Sequence, residues 1–358
     1  MWSTETVFGT IVVRERVTWD ASVTLTQPIT PLWAVYHGVR AARFAEEAAA
    51  IEVSSSRRTQ VRDAVVGYYR VLQARAALET AERSVEQLEA QLERLRAVVE
   101  VGAAAPSEAL RLEVAVAAAQ QAALRAQSDL DLARAALAFA VGGEPGSMVE
   151  AAPLEAEVLP PATMELEEAT TSALAHRDEL AQLGLSVQQA EIGVLAKEAD
   201  YLPQVVGLAQ YKHAEGSGLA AADDGFVGAS LSWTLWQWGA RARAVDVAEA
   251  RVLQLEATQE LTRRQIALQV RAAWQNVRTS VASHAVAAAA LEQATEAFRI
   301  ERARYEAGAS TATDLLDVQA ALIEAENNLN ASLYQAWVNY AELSYTTGAP
   351  LGGLGEEQ

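Results

Sequence analysis

Residues 304–321 read RYEAGASTATDLLDVQAA, and this stretch closes one long helical pattern and opens another. A long run of helix-forming residues ends near Tyr305, and Gly308 supplies the permissive backbone at which a helix stops. Thr311, followed three residues later by Asp314, has the pattern of a capping box at the start of a new helix. The stretch therefore predicts a helix–turn–helix hairpin.

A near-copy of this stretch, VEVGAAAPSEALRLEVA, occupies residues 99–115. Here Gly102 ends the first helix, and Pro106, whose φ is already helical, opens the second. Gly102 and Gly308 lie 206 residues apart. The same offset pairs Leu25 with Leu231, Tyr68 with Trp274, Leu92 with Phe298, Leu110 with Leu316 and Gly142 with Gly348. Since solenoid units are much shorter than this, the sequence predicts one duplicated architectural half.

The repeat divides the chain into four segments. We expect a first repeat at 1–142, a linker with some structure of its own at 143–177, a second repeat at 178–348 and a C-terminal tail at 349–358. The first repeat has no counterpart of the helix that the sequence predicts at about 178–201. We therefore expect a further helix and an export signal upstream of Met1, because the first residues lack the basic and apolar parts of a signal peptide.

Two matching segments alternate apolar and polar residues with the period of a β-strand. These are 21–30 and, more cleanly, 227–235. The apolar face of the second consists of Val227, Ala229, Leu231, Trp233 and Leu235. A strand at about 204–213 precedes it, which predicts a β-hairpin. Residues 5–15 are a weaker strand candidate, so the sequence predicts two strands in each half.

Each hairpin is followed by a very long helical pattern, at 39–100 and 240–306. At 1.5 Å per residue, such a helix extends about 90 Å. Patterns of this length indicate coiled coils or helical repeats. Shorter helices, predicted at 107–141 and 312–346, return antiparallel after the two turns.

Composition excludes several classes of protein. Acidic residues outnumber basic ones, 47 to 28, and the net charge of −19 argues against nucleic acid and anionic lipid headgroups as partners. The absence of cysteine excludes disulfides and thiolate metal sites. The four histidines, His37, His176, His213 and His284, have no metal-ligand spacing, and no phosphate-binding loop occurs. We expect no enzyme activity, no cofactor and no metal.

Four strands per chain cannot close a membrane barrel, since the smallest contain about eight. Either the sheet packs on the chain's own helices, or several chains pool their strands. Trp233, Trp236 and Trp238 suit an aromatic girdle at a membrane interface, or else aromatic packing under a turn. Helices of this length cannot bury their apolar faces within one chain, which favours the pooling of strands from several chains.

The chain resembles the outer-membrane efflux (TolC-type) duct proteins along most of its length. The motifs that carry the resemblance are Tyr201-Leu202-Pro203-Gln204-Val205, Leu231-Ser232-Trp233 through Trp238-Gly239, Leu25-Thr26-Gln27-Pro28 and the two turns. It implies a mainly α trimer, in which long antiparallel hairpins form a periplasmic α-barrel continued by a twelve-stranded outer-membrane β-barrel. It also implies a passive exit duct of a Gram-negative bacterium, for tripartite efflux or type I secretion, working with a periplasmic adaptor and an inner-membrane transporter.

The resemblance also implies roles for particular residues. The turns match the tips that meet the adaptor, through Gly102, Ala103, Pro106, Ser107, Gly308, Ala309, Ser310 and Thr311. Tyr305, Asp314 and Asp317 match the gate at the periplasmic end, where Asp314 also suits a capping role. An arginine in the family stands where this chain has Ser310, so an arginine latch there is not expected. The apolar face of 227–235 would contact outer-membrane lipid.

A hypothesis from a different class is a soluble, elongated coiled-coil scaffold whose small sheets are caps. The face of 227–235 distinguishes the two. A duct places this face towards lipid and needs detergent, whereas a scaffold dissolves without it.

Overall fold

The computed structural model describes residues 2–6, 9–14, 19–102, 104–144, 147, 149–153, 158–161, 163–215 and 223–348. Its strands are β1 (Trp2–Thr6), β2 (Gly9–Arg14), β3 (Trp19–Pro28), β4 (Gln204–Glu215) and β5 (Asp223–Ser232). Its helices are α1 (Leu32–Glu100), α2 (Pro106–Ala140), α3 (Leu166–His176), α4 (Asp178–Ala199), α5 (Ala240–Glu306) and α6 (Ala312–Thr346). No helix in these ranges is both long and apolar enough to cross a bilayer.

The chain divides into two compact units. The first contains Met1–Ile51 and Ala181–Glu260, and the second contains Glu52–Leu180 and Leu261–Gln358. The first unit carries all the described strands, and the second carries the two helical turns.

The first unit contains an antiparallel sheet in the order β3-β4-β5. Leu25 of β3 lies opposite Ala209 of β4, which in turn lies opposite Val227 of β5. Because side chains alternate between the faces of a sheet, these three residues share one face with Val23 and Leu231. The opposite face of β3 carries its serine and threonines.

The structure corrects three predictions about the strands, namely residues 5–15, the number of strands in one sheet and the end of β5. Residues 5–15 are not one strand but parts of β1 and β2, which pair with each other and not with the larger sheet. The division falls before Gly9, a residue type that weakens strand interiors. Four strands in one sheet are thus not found in the described chain, which has three there.

The third correction concerns the end of β5. The strand stops at Ser232, opposite Gln204, so Trp233 and Leu235 lie beyond it. Pro203 precedes Gln204 and has no N–H to donate, so the ladder ends at that point.

The helices follow the predicted pattern closely. The first long helix begins at Leu32 instead of residue 39, and the other long helix has the predicted bounds. The return helices α2 and α6 are each 35 residues long. They begin 206 residues apart, as the offset of the two turns predicts. The duplication itself and the four-segment division stay predictions.

The core of the second unit lies between its helices. Near the turns, α1 and α2 enclose Leu88, Leu92, Leu95, Ala109, Leu112 and Val116, and Leu316 of α6 packs against this cluster. A second cluster joins α1, α2 and α6 through Tyr69, Leu72, Leu130, Leu137 and Val338, among others. Each fully buried leucine contributes about 2 kcal/mol. These clusters hold the two hairpins of the unit together.

Aromatic side chains fasten the linker between α2 and α3 to the second unit. Tyr68 donates its hydroxyl hydrogen to the Ala152 carbonyl at 2.8 Å. Trp337 Nε1 donates to the Val158 carbonyl at 2.8 Å, and Trp274 Nε1 donates to the Met164 carbonyl at 3.0 Å. The three donors come from α1, α6 and α5, so the linker is held by three different helices.

Candidate functional site at the hairpin turns

The second turn has the local geometry that its sequence predicts. Gly308 has a φ of 70°, and its N–H donates to the Tyr305 carbonyl at 2.9 Å. The helix α6 then begins with a complete capping box. The Asp314 N–H donates to Thr311 Oγ1 at 3.2 Å, and the Thr311 N–H donates to Asp314 Oδ2 at 3.3 Å. The capping prediction for Asp314 is confirmed.

Asp314 and Asp317 come together at one cavity beside this turn. Its volume is about 630 Å³, and Glu301, Arg304 and Val318 also line it. Hydrogen bonds from the Thr311 hydroxyl, at 2.7 Å, and from the Thr311 N–H lower the pKa of Asp314. Asp317 is exposed, whereas Leu315 is buried and Leu316 packs on the adjacent hairpin. The Asp face of the helix is thus open to solvent.

The first turn is built in the same way. Gly102 has a φ of 74°, and its N–H donates to the Val99 carbonyl at 2.9 Å. Pro106 is the first residue of α2. Pro106 and Ser107 are exposed, while Ala103 lies outside the described residues. At the second turn, Gly308, Ala309 and Thr311 are likewise exposed.

Tyr305 lies at a different cavity from the two aspartates. This cavity, of about 1010 Å³, lies between the two hairpins and is also lined by Glu108, Phe298 and Gln319. Burial, and then the charge of Glu108, raise the pKa of Tyr305. The three residues predicted to form one gate therefore divide between two neighbouring cavities, which share Gly308 and Ser310.

Ser310, which stands where an arginine latch was considered, contacts nearby residues of its own hairpin. Its hydroxyl donates to the Glu301 carboxylate on the preceding helix, and Arg304 Nη1 lies 3.1 Å from the same carboxylate. A polar link between the return helices of the two hairpins lies nearby, where Arg111 Nη1 donates to Thr313 Oγ1 at 2.7 Å. No sequence pattern pointed to Arg111, since a lone arginine five residues after Pro106 belongs to no motif.

The predicted lipid-facing residues lie in the first unit and are all exposed. Val227 has 86% of its surface exposed and Leu231 has 67%, and Ala229 lies between them on the same face of β5. Trp233 and Leu235 are exposed in the connector after the strand. On β3, Val23 and Leu25 extend the same apolar face.

The sequence matches the family described as outer membrane efflux protein over most of its length, residues 10–143 and 169–349. The chain belongs to the outer membrane efflux protein family. Its members are channel proteins, which are generally not enzymes. No curated protein matches the chain.

Solved structures of outer-membrane proteins and channels share the fold. VceC of Vibrio cholerae is 18% identical, with a TM-score of 0.78 over 94% of this chain and 88% of its own. CusC is 16% identical, with a TM-score of 0.82 over 98% of this chain and 81% of its own. The open state of MtrE of Neisseria gonorrhoeae is 16% identical, with a TM-score of 0.75 over 95% and 81%. The mainly helical fold with a small sheet is thus that of TolC-like channels.

Proposed function

We propose that this efflux family member is the passive exit duct of a tripartite efflux or type I secretion system. Three chains form the duct, which spans the outer membrane of a Gram-negative bacterium and extends into the periplasm. A periplasmic adaptor and an inner-membrane transporter supply cargo and drive.

The observation that carries this proposal is the exposed apolar face of the β3-β4-β5 sheet. Val23 is 73% exposed, Leu25 67%, Val227 86% and Leu231 67%. A contiguous apolar face of this kind marks contact with a partner or with lipid. Pooling of strands from three chains into a barrel would remove the open edges of the sheet and turn this face towards lipid.

The return helix α2 supports assembly of several chains. Its large exposed apolar side chains are Leu110, Val114, Leu124, Leu132 and Phe139. At 100° per residue they fall on one side of the helix, as an apolar seam does. We infer that this seam packs against a neighbouring chain, so that helices from three chains enclose the α-barrel.

The turns supply the gate and the adaptor surface of the proposed duct. In a trimer, Asp314 and Asp317 become six carboxylates around one opening, which attracts cations. Tyr305, in its adjoining cavity, would hold the hairpins near this opening. The exposed residues of the two turns, with Ala103 between Gly102 and Pro106, would meet the adaptor.

Mass measurement of the detergent-purified protein tests the assembly. We expect a homotrimer that needs detergent and forms conducting pores in planar bilayers without an energy source. A monodisperse monomer that stays in solution without detergent would contradict the duct and support the scaffold hypothesis.

A further inference from the structure

The cavity beside Tyr305 lies between the two hairpins and has the size of a small-molecule site. Its volume of about 1010 Å³ is at the upper end of the range for ligand pockets, about 300–1,000 Å³. All four helices of the hairpins contribute to it, through Leu95 of α1, Glu108 of α2, Phe298 of α5 and Gln319 of α6. These residues belong to the second unit, so the lining comes from one unit of a single chain.

Apolar and aromatic side chains form the inner part of this lining. Leu95 and Leu315 are buried, and Phe298 and Tyr305 are half-buried. The two rings offer flat apolar surface on which the aromatic ring of a ligand can stack or pack edge to face. The inner lining therefore suits an aromatic ligand.

Gln319 adds a buried amide that lacks hydrogen bonds. Its side chain is 2% exposed, and its Nε2 and Oε1 are both buried without a hydrogen-bond partner among the described residues. A buried amide without partners is costly because its polar atoms have lost their water. The amide can both donate to and accept from a ligand that enters the cavity. A ligand hydroxyl group would satisfy it.

Glu108 gives the inner lining a negative charge. Its side chain is half-buried, and its carboxylate has no ion-pair partner in the part of the chain that the structure describes. Its charge reaches Tyr305, whose pKa is raised first by burial and then by Glu108. The other charged residues of the lining are exposed to solvent, namely Glu86, Arg94, Arg302 and Glu306. Because solvent screens exposed charges, Glu108 favours a cationic group on the ligand.

We propose that this cavity binds a small aromatic amine that also carries a hydroxyl group. The ring packs against Phe298 and Tyr305. The ammonium group pairs with Glu108, and the hydroxyl group exchanges hydrogen bonds with the amide of Gln319. Such a ligand contacts both hairpins of one chain, so the site goes beyond the proposed duct and does not depend on three chains or on the passage of cargo.

Binding of 5-hydroxytryptamine and two analogues to the full chain in detergent tests the site. Tryptamine lacks the hydroxyl group, and 5-hydroxytryptophol lacks the amine. Saturation-transfer NMR titrations, corrected with protein-free micelles, give the three dissociation constants. We expect the wild type to bind 5-hydroxytryptamine about fivefold more tightly than either analogue, the effect of one hydrogen bond or ion pair.

Two variants assign the contacts. Glu108→Gln should weaken the binding of 5-hydroxytryptamine about fivefold and leave that of 5-hydroxytryptophol unchanged. Gln319→Leu keeps a side chain of similar volume and should remove the advantage of 5-hydroxytryptamine over tryptamine. The matched control is Glu93→Gln, which changes an exposed carboxylate of the first hairpin outside this cavity and should alter none of the constants.

Two results would overturn the site. One is equal binding of 5-hydroxytryptamine by the wild type and both variants, which places the amine elsewhere, and the other is a lack of saturable binding. Neither bears on the duct, which the mass and conductance measurements test separately. If Gln319→Leu does not fold, the comparison of 5-hydroxytryptamine with 5-hydroxytryptophol in Glu108→Gln still decides.

Discussion

Arg111 of α2 donates a hydrogen bond from Nη1 to Oγ1 of Thr313 in α6, at 2.7 Å, and so joins the return helices of the two hairpins. The contact lies close to both turns, beside the apolar packing of Leu316 on the first hairpin. In the proposed duct, whose second turn carries Ser310, this bond provides a polar restraint between the hairpins.

We predict that Arg111→Ala shifts the proposed gate towards its open state. An exposed hydrogen bond contributes about 1 kcal/mol, which corresponds to roughly a fivefold change in the ratio of open to closed channels. Single-channel recordings in planar bilayers measure this ratio. The matched control is Arg96→Ala, which removes a 2.6 Å ion pair with Glu113 inside the first hairpin. An equal shift in both variants would show that Arg111 has no special role between hairpins.

The two aspartates of the second turn should set ion selectivity. We predict that wild-type channels prefer cations and that Asp314→Asn combined with Asp317→Asn loses most of this preference. Reversal potentials under a salt gradient measure it. If the double variant selects cations as the wild type does, the acidic constriction lies elsewhere and only the capping role of Asp314 survives.

The same measurement has a predicted pH dependence. Hydrogen bonds from Thr311 hold the pKa of Asp314 below its ordinary value of 3.8. The folded carboxyl therefore stays charged as the pH falls to that value and is neutralised only below it. We expect Thr311→Ala to move the loss of cation selectivity to higher pH. No movement would mean that Asp314 does not contribute to selectivity.

Gly308 should resist substitution more than a glycine in a helix. Its φ of 70° strains any residue with a Cβ, although no atom lies within 4 Å of that position. We predict that Gly308→Ala destabilises the protein by about 1 kcal/mol, measured by denaturant unfolding in detergent. Gly38→Ala, inside α1 with equally open surroundings, should instead stabilise it by about 0.5–1 kcal/mol. A stabilising Gly308→Ala would contradict the turn geometry.

Arg177 and Glu179 should couple stability to pH at the junction of α3 and α4. Arg177 is buried, with 8% exposed, and its guanidinium donates two hydrogen bonds to Glu179, at 2.9 and 2.5 Å. It also donates to Gln269 Oε1 at 3.2 Å. Burial acts to raise the pKa of Glu179, but the bonds from Arg177 outweigh it and the pKa lies below 4.5.

A lowered carboxyl pKa favours folding above the unfolded value, and the stabilisation is lost as the pH falls through the folded value. We predict that Glu179→Gln costs roughly 1 kcal/mol at pH 7, discounted because the side chain is 43% exposed. Its cost should shrink in acid, below pH 4.5. Unfolding midpoints at several pH values measure this, with the exposed Glu93→Gln as control. A cost that does not change with pH would rule out the ion pair as its source.

The helices and turns could be predicted from the sequence because their causes are local. Gly102, Gly308 and Pro106 impose backbone angles, and Thr311 and Asp314 exchange hydrogen bonds within one turn of helix. Strand alternation was local too, although it placed Trp233 and Leu235 inside β5. The strand β5 ends at Ser232 because its partner β4 begins only after Pro203, in a distant part of the sequence.

The tertiary structure decided which distant segments meet. Leu25 lies opposite Ala209, and Arg111 bonds Thr313, although no local pattern links either pair. Tyr305 faces Glu108 and not the aspartates of its own turn, because the packing of two hairpins sets which side of each helix borders each cavity. The sequence by itself determined the hairpins, their caps and the apolar faces, since these depend on backbone angles and side-chain period. Pairing, register and the division of the proposed gate residues between two cavities arose only from long-range packing, because many partners satisfy the same apolar face and only their combined fit selects one.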